Sequence, residues 1–233
     1  MTAPESTDAD VPVITIDGPG GSGKGTVSRL VAGRLGWHFL DSGALYRLVG
    51  LAARRHGVAL DDEAAVGDIA ATLDARFAAG QGGAQTQIFL EGDEVTEVIR
   101  NEDTGNAASQ VAVLPAVRAA LLDRQRAFRR APGLVADGRD MGTVVFPDAT
   151  LKIFLTASAL ERANRRYKQL KEKGMDVSLG ALRAEIERRD RRDSERQTAP
   201  MRAADDAVVV DTTAMTVDEV VERVVATWFD RCG

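Results

Sequence analysis

Short runs of apolar, β-branched residues alternate with longer stretches of helical periodicity along most of the chain. The first run, at 11–16, ends in a glycine-rich turn at 17–20, and apolar residues then recur at helical spacing from 27 to 35. A short apolar run that ends in a turn is typical of a buried strand, whereas a period of about 3.6 residues indicates a helix. The pattern therefore predicts a strand, a turn and a helix that Gly36 ends.

Four more apolar runs continue the pattern, at 37–40, 134–136, 151–155 and 208–210. Buried strands that alternate with helices indicate an α/β fold, here a parallel sheet of five strands flanked by helices. Ligands of such sheets bind beyond the carboxyl ends of the strands. Each run ends in a polar residue that could either bind a ligand or simply begin a turn; these residues are Asp17, Asp41, Asp137, Thr156 and Asp211.

One segment with a different pattern lies between the second and third strands. Residues 75–78 and 86–90 predict short antiparallel strands, joined by a turn around Gly82 and Gly83 and followed by a tight turn at 91–93. We interpret 72–110 as an insert in the α/β body.

A second departure lies near the C-terminus. An arginine-rich helix runs from 160 to 173, Gly174 interrupts it, and a second charged helix runs from 179 to 192. The pair has few apolar positions for a core. We therefore interpret 160–196 as a small helical lid, with Gly174 as its hinge.

Composition narrows the class of protein further. Of the 233 residues, 44% are hydrophobic and 28% charged, so we expect one globular domain over 11–233 after a disordered polar tail at 1–10. A net charge of −5 argues against nucleic-acid binding, and no apolar run approaches the roughly 20 residues that span a bilayer. The single cysteine, Cys232, allows no internal disulfide, which fits a reducing compartment. We expect a cytoplasmic monomer.

The turn after the first strand fits the phosphate-loop pattern G-x-x-x-x-G-K. Its residues, called the phosphate loop below, are Gly18, Pro19, Gly20, Gly21, Ser22, Gly23, Lys24, Gly25 and Thr26. Glycines let the backbone curl until its N–H groups meet phosphate oxygens, and the helix that follows adds the positive end of its dipole. Lys24 supplies a mobile positive charge for the β- and γ-phosphates. The sequence therefore predicts a nucleoside-triphosphate site.

The residue after Lys24 departs from the commonest form of this loop. Many phosphate-loop NTPases carry a Ser or Thr there that binds Mg²⁺, whereas this chain has Gly25 and places its hydroxyl at Thr26. We therefore expect Mg²⁺ to be held mainly by the nucleotide phosphates and water, with no dedicated metal site in the protein. The chain also has no N-K-x-D motif, which weighs against a GTPase.

Four segments together carry a family resemblance: IDGPGGSGKGT at 16–26, LDSGALYR at 40–47, NAASQVA at 106–112 and ADGRDMGTVVFPDA at 136–149. With them the chain resembles the bacterial cytidylate kinases, nucleoside monophosphate kinases of the phosphate-loop class, from about Val13 to the C-terminal helix. The phosphate loop alone indicates only an NTP-binding protein, and the other three segments select the family. The resemblance implies transfer of a phosphoryl group from ATP to CMP, with dCMP as a second acceptor. It also implies that the insert at 72–110 binds the nucleoside monophosphate.

The resemblance also implies a role for each matched side chain. Those implied to bind the acceptor are Arg47, Arg139 and Arg196 for the CMP phosphate, Ser109, Arg118 and Asp140 for cytosine, Arg189 and Asp193 for the sugar hydroxyls, and Ser42 for the pocket wall. The residues implied to stabilise the phosphoryl group during its transfer are Lys24, Arg139 and Arg196. The chemistry is consistent, since a carboxylate can accept the cytosine amino hydrogen and guanidinium groups match phosphate geometry.

Simpler interpretations of these residues remain open from the sequence alone. Arg47 could be a surface charge on a helix, Asp140 could cap a turn after Gly138, and 188–196 could be a solvated charged face. The alternative functions are a kinase for UMP or another small acceptor, an ATPase that uses hydrolysis to change shape, and a non-catalytic nucleotide sensor.

Overall fold

The structure is a computed structural model that describes residues 11–78, 86–172 and 174–232. The predictions for the tail at 1–10 and for the turn at Gly82 and Gly83 lie outside the described residues. In chain order the helices and strands are β1 (Val13–Asp17), α1 (Lys24–Leu35), β2 (His38–Asp41), α2 (Ser42–Arg55), α3 (Glu63–Ala71), β3 (Ala75–Ala78), β4 (Gln87–Leu90), β5 (Asp93–Glu94), α4 (Glu102–Val111), α5 (Pro115–Arg126), β6 (Leu134–Gly138), β7 (Leu151–Thr156), α6 (Ala159–Glu172), α7 (Leu179–Ser194), β8 (Val208–Asp211) and α8 (Val217–Cys232).

The chain divides into two compact units. The first runs up to Asp41 and resumes at Gln125, and the second is Ser42–Arg124. The first unit contains a five-stranded sheet in the order β2-β6-β1-β7-β8, with every neighbouring pair parallel. The α/β fold with its five-stranded parallel sheet is therefore confirmed.

Each strand extends slightly beyond the apolar run that predicts it. The polar residue after the run still pairs with its neighbour, so that Asp41 lies opposite Asp137 and Thr156 lies opposite Asp211. Asp17 likewise belongs to β1, the central strand. This register brings the polar ends of the strands to one edge of the sheet, where ligands of such sheets bind.

The core of the first unit lies between the sheet and the helices α1 and α8. Ile14 and Ile16 of β1 belong to one buried cluster with Val31 of α1 and with Val224 and Trp228 of α8. Each fully buried aliphatic side chain contributes about 1.5–3 kcal/mol. This packing fixes β1, and therefore the point at which the phosphate loop begins.

The second unit combines helices with a small sheet. Strands β3, β4 and β5 form an antiparallel sheet in that order, which confirms the antiparallel pairing predicted around residues 75–93. Helices α2 and α4 approach closely, because a Cβ on Gly50 would lie 2.9 Å from the Cβ of Ala107. Arg124 of α5 donates to the carbonyls of Leu73 and Ala75 at 2.6 and 2.8 Å and so ties this helix to the start of β3.

Helices α6 and α7 form the hairpin that the arginine-rich segment predicts. Gly174 lies between them with a φ of +74°, in the left-handed region that favours glycine. The apolar cluster of the hairpin consists of Ala163, Leu170 and Leu182, with partly buried neighbours around it. No helix in the described ranges is long and apolar enough to cross a membrane.

Candidate active site

The phosphate loop connects β1 to α1 through glycines in unusual backbone conformations. Gly18 has a φ of +144°, and a Cβ there would lie 2.0 Å from the carbonyl oxygen of Leu155, so no other residue fits without a backbone shift. Gly21 and Gly23 have φ values of +79° and +91°, and Gly23 directly precedes the first turn of α1. The loop thus ends at a helix N-terminus, where free N–H groups and the helix dipole favour an anion.

Two side chains of the loop bond to the loop itself. The hydroxyl of Ser22 donates to the carbonyl of Pro19 at 3.0 Å, and the Nζ of Lys24 lies 3.4 Å from the same oxygen. These contacts fold the lysine back over the loop, where it can meet a bound phosphate.

Donors from other segments hold the carbonyl oxygens of the loop. Arg162 of α6 donates from Nη1 to the carbonyl of Gly20 at 3.1 Å, and Arg165, one turn later, donates to the carbonyl of Ser22 at 3.4 Å. The hydroxyl of Thr212, just after β8, also donates to Ser22 at 3.1 Å. Sequence reasoning missed these three residues because no motif marks them. Arg162 and Arg165 are among the arginines of α6, and Thr212 is one of the threonines after β8.

Lys24 is buried, with 9% of its surface exposed, next to a carboxylate and two guanidinium groups. Its Nζ lies 4.0 Å from an oxygen of Asp137. Burial lowers the pKa of Lys24 to about 8, and the charges of Arg139 and Arg189 act in the same direction, while Asp137 opposes them. The surroundings of Lys24 therefore disfavour its charged form, and the negative charge of a bound nucleotide phosphate would favour it.

Gly25 leaves room for Asp137. A Cβ on Gly25 would lie 3.1 Å from the carboxylate oxygen of Asp137, which is tighter than ordinary van der Waals contact. A serine or threonine at this position would crowd that carboxylate. Among the described residues, no group of three or more His, Cys, Asp or Glu side chains is placed to hold a metal ion.

Several predicted acceptor residues come together above the phosphate loop in the first unit. Arg139 forms an ion pair with Asp193 at 3.0 Å between Nε and Oδ2. The Nη2 of Arg139 and the Nη1 of Arg189 lie 3.5 and 3.8 Å from the position that a Cβ on Gly20 would take. Arg196, also buried, donates to the carbonyl of Ala199 at 2.6 Å.

The cluster of guanidinium groups governs the charge on Asp193. Burial opposes the ionisation of this carboxyl, but the neighbouring charges of Arg139, Arg189 and Arg196 outweigh it and hold the pKa of Asp193 below its ordinary value. Asp193 is therefore a carboxylate at neutral pH. The segment 188–196 is thus not merely a solvated charged face, because Asp193 and Arg196 are both buried.

Asp140 is buried at the turn that follows β6, with 3% of its surface exposed. It precedes a short π-helical turn, Met141–Val145, but its side chain makes no capping hydrogen bond to that turn. The side chain of Asp140 is therefore not the N-terminal cap of the turn Met141–Val145.

The remaining predicted residues, Ser42, Arg47, Ser109 and Arg118, lie in the second unit. Ser42 begins α2 and Ser109 lies in α4, and both are buried. Arg47 is half-buried and donates to the carbonyls of Ile99 and Asn101 at 2.5 and 3.3 Å, so it is not a loose surface charge.

Arg118, the second predicted arginine of this unit, is buried. Its guanidinium carbon lies 5.8 Å from the ring centroid of Tyr46, and it donates to the carbonyl of Ala112 at 3.3 Å. The ring and the carbonyl hold the side chain in a defined position.

A glycine-rich loop between a central strand and a helix, with a buried lysine and guanidinium groups beside it, defines a phosphate-loop kinase. The comparisons agree in detail. A family model described as "Cytidylate kinase" matches residues 14–229, and the chain belongs to the cytidylate kinase family.

Curated relatives carry the same description. The cytidylate kinase of Stutzerimonas stutzeri (strain A1501) is 62% identical over 221 residues, which cover 95% of this chain and 96% of the relative. That of Pseudomonas aeruginosa (strain UCBPP-PA14) is 63% identical over 92% of this chain and 94% of the relative, and that of Aeromonas salmonicida (strain A449) is 60% identical over 92% and 93%. A gluconokinase of known structure from Sinorhizobium meliloti 1021 is 16% identical over 92% of this chain and 90% of its own, with a TM-score of 0.43.

Proposed function

We propose that the protein transfers the γ-phosphoryl group of ATP to CMP, giving ADP and CDP, and that dCMP is a second acceptor. The observation that carries the proposal is the approach of Arg139 and Arg189 to Gly20 of the phosphate loop, beside the buried Lys24. A phosphoryl group that bridges two nucleotides needs positive charge on every side. Membership of the cytidylate kinase family supports CMP as the acceptor.

Catalysis in this proposal consists of positioning and charge stabilisation, because phosphoryl transfer demands little covalent chemistry from the protein. Lys24 and Arg139 neutralise the moving phosphoryl group, and Arg196 assists them. No general base is needed in this scheme.

Mg²⁺, when it is bound with ATP, neutralises charge on the β- and γ-phosphate oxygens. The loop fits an ion that is held mainly by phosphates and water, because the crowding at Gly25 leaves Thr26 as the hydroxyl after Lys24.

CMP itself is recognised, in this proposal, by the residues that the family resemblance marks. Asp140 accepts a hydrogen from the amino group of cytosine, while Arg118 and Ser109 complete the contacts to the base. Arg47 binds the phosphate with Arg139 and Arg196. These roles are supported by the burial or half-burial of the side chains, and by the defined contacts of Arg47, Arg118 and Arg139.

An acceptor panel tests the proposal directly. ADP formation is measured in a coupled assay with CMP, dCMP, UMP, AMP, GMP and no acceptor. CMP and dCMP are expected to be phosphorylated fastest. A higher turnover with UMP would overturn the choice of base, and equal ATP turnover without any acceptor would favour an ATPase instead.

Replacing Asp140 by alanine should lower kcat/KM for CMP by at least about tenfold and change kcat/KM for UMP much less. The reason is that cytosine presents an amino donor to the carboxylate, whereas uracil presents a carbonyl oxygen, and one such contact is worth about 1–3 kcal/mol. The same assay on Arg118→Ala is the comparison, since this variant should weaken both substrates. Equal losses for CMP and UMP in Asp140→Ala would show that Asp140 does not select the base.

Binding of ATP and CMP analogues together should slow amide hydrogen exchange in the described residues of 168–196. The hairpin has a small apolar cluster and buried arginines that a phosphate would face, so bound nucleotides should order it. Hydrogen–deuterium exchange with mass spectrometry measures this, with α8 as an internal reference that should not change. Exchange in the hairpin that stays as fast with nucleotides as without them would exclude a lid.

We also propose that the protein works as a monomer in the cytoplasm. The exposed thiol of Cys232 fits a reducing compartment. Sedimentation velocity of the purified protein, with and without a reductant, tests the monomer.

A further inference from the structure

Asp17 is a buried carboxylate that the proposed chemistry does not use. It is the last residue of β1, directly before the phosphate loop, with 4% of its surface exposed. Its neighbours in the sheet are Gly138 on β6 and Phe154 on β7. A carboxylate in such a place is costly unless hydrogen bonds satisfy its oxygens.

Each oxygen of this carboxylate accepts one backbone hydrogen bond. The N–H of Met141 donates to Oδ1 at 2.8 Å, and the N–H of Gly142 donates to Oδ2 at 2.8 Å. These two groups open the π-helical turn Met141–Val145, where helical N–H groups have no partner within the turn. Asp140 directly precedes the turn but does not cap it. Asp17 caps the turn instead, from the neighbouring strand β1.

The turn also packs closely against β1 and β6. A Cβ on Gly142 would lie 2.8 Å from the hydroxyl of Thr15, and a Cβ on Gly138 would lie 2.7 Å from the side chain of Met141. The two hydrogen bonds therefore act on a backbone with little room to move. They fix the orientation of the peptide that carries Asp140.

We propose that Asp17 is a positioning residue for recognition of the base: through the N–H groups of Met141 and Gly142 it holds Asp140 in the place from which its carboxylate meets cytosine. Asp17 touches no substrate in this account. The inference rests on the proposed function, because it assigns Asp17 to the selection of CMP.

The role requires Asp17 to be ionised, since a protonated carboxyl has a hydroxyl that faces one of the two N–H donors and loses that bond. Burial raises the pKa of Asp17 to about 7; the charges of Asp140 and Asp137 act in the same direction, and the two N–H groups oppose them. Other charged groups also lie around the turn. Lys24 is 4.0 Å from Asp137, Lys152 of β7 lies against Gly142 and pairs with Asp206, and Arg126 donates to the carbonyls of Val144 and Val145 at 3.5 and 3.1 Å. The carboxyl of Asp17 is therefore half protonated at about pH 7, so the capping is nearly complete at pH 8 and is lost as the pH falls through 7.

The test is Asp17→Asn, which keeps the shape but replaces one acceptor oxygen by an NH₂ donor. At pH 8 the KM for CMP should rise about tenfold with kcat changed less, and the ratio of kcat/KM for CMP to that for UMP should fall by about the same factor. The KM for ATP should stay within about twofold. Asp62→Asn is the matched control: Asp62 caps α3 by accepting one N–H, from Ala65, which an asparagine oxygen can also do.

The pH dependence separates positioning from a structural role. The ratio of the KM for CMP in Asp17→Asn to that in the wild type should fall from about tenfold at pH 8 towards one at pH 5.5, because the wild type loses the same hydrogen bond there. The titration of the substrate phosphate cancels in this ratio. Equal losses for CMP, UMP and ATP, or a ratio that is constant with pH, would overturn the proposal.

A measurement that does not depend on enzyme activity separates the role of Asp17 from the proposed function. Amide exchange of at least one of Met141 and Gly142 should be faster in Asp17→Asn than in the wild type, because the asparagine keeps only one acceptor oxygen, and exchange of both should be unchanged in Asp62→Asn. Unchanged exchange at those amides would overturn the role of Asp17 even if the enzyme phosphorylates CMP. A wild type that leaves CMP unphosphorylated would instead overturn the proposed function, whatever the exchange shows.

Discussion

Replacing Lys24 by methionine should lower kcat by about two to three orders of magnitude while the protein stays folded. The removal of one well-placed charge from a dry site typically costs about 3–4 kcal/mol in the transition state. Stability should not fall in the same way, because burial already disfavours the charged lysine, as its lowered pKa of about 8 shows. Steady-state kinetics and thermal unfolding measure the two effects separately.

The control for this variant is Arg223→Met, which removes a cation from an exposed position of α8 and should leave kcat unchanged. A near-normal kcat in Lys24→Met would contradict the role of the lysine. The lowered pKa gives a second readout, since a bound phosphate favours the charged lysine and should raise its pKa. ATP binding at about pH 8.5 should therefore take up protons in the wild type and not in Lys24→Met, which calorimetry in buffers of different ionisation enthalpy can detect.

Replacing Gly18 by alanine should destabilise the protein by about 3 kcal/mol or more. The added Cβ would lie 2.0 Å from the carbonyl oxygen of Leu155, and a φ of +144° is one that alanine rarely adopts. Neither strand can yield easily, because β1 and β7 are paired in the centre of the sheet. Such a loss corresponds to a drop in Tm of roughly 6–12 °C for a chain of this size.

Gly33→Ala is the matched control for Gly18→Ala. Gly33 is exposed in α1, and a Cβ there would meet nothing within 4 Å. Because alanine is a better helix former than glycine, this variant should gain about 0.5–1 kcal/mol. Equal unfolding free energies for the two variants would show that Gly18 does not lie so close to β7.

The strands, the helices and the phosphate loop can be predicted from the sequence because each has a local signature. Apolar runs mark the strands, a 3.6-residue period marks α1, and the spacing of Gly18, Gly23 and Lys24 marks the loop. The order of the strands, by contrast, is not a local property of the chain, and the pattern does not contain it.

The hydrogen bonds between distant segments that shape the site cannot be predicted from the sequence either. Asp17 bonds to Met141 and Gly142 across 124 and 125 residues, and Arg162 bonds to Gly20 across 142. No spacing rule connects such pairs. The local sequence of an aspartate followed by a glycine turn is the same whether the aspartate caps a distant turn or begins its own. Family resemblance gives Asp140 a role but gives none to Asp17, although Asp17 lies within the matched segment 16–26.

Arg162 of α6 bonds both to the phosphate loop and to the other helix of the hairpin, α7. Besides its bond to Gly20, its two Nη atoms reach both carboxylate oxygens of Asp190 in α7 at 3.0 and 2.5 Å, and its Nε donates to the carbonyl of Ala157. An arginine buried in this way is destabilising when its carboxylate partner is removed. The hairpin is therefore not an interchangeable module. A hairpin transplanted from another kinase would fit this body only if it brought both the arginine at 162 and the carboxylate at 190, and a graft with one of them would disturb the phosphate loop as well as the hairpin.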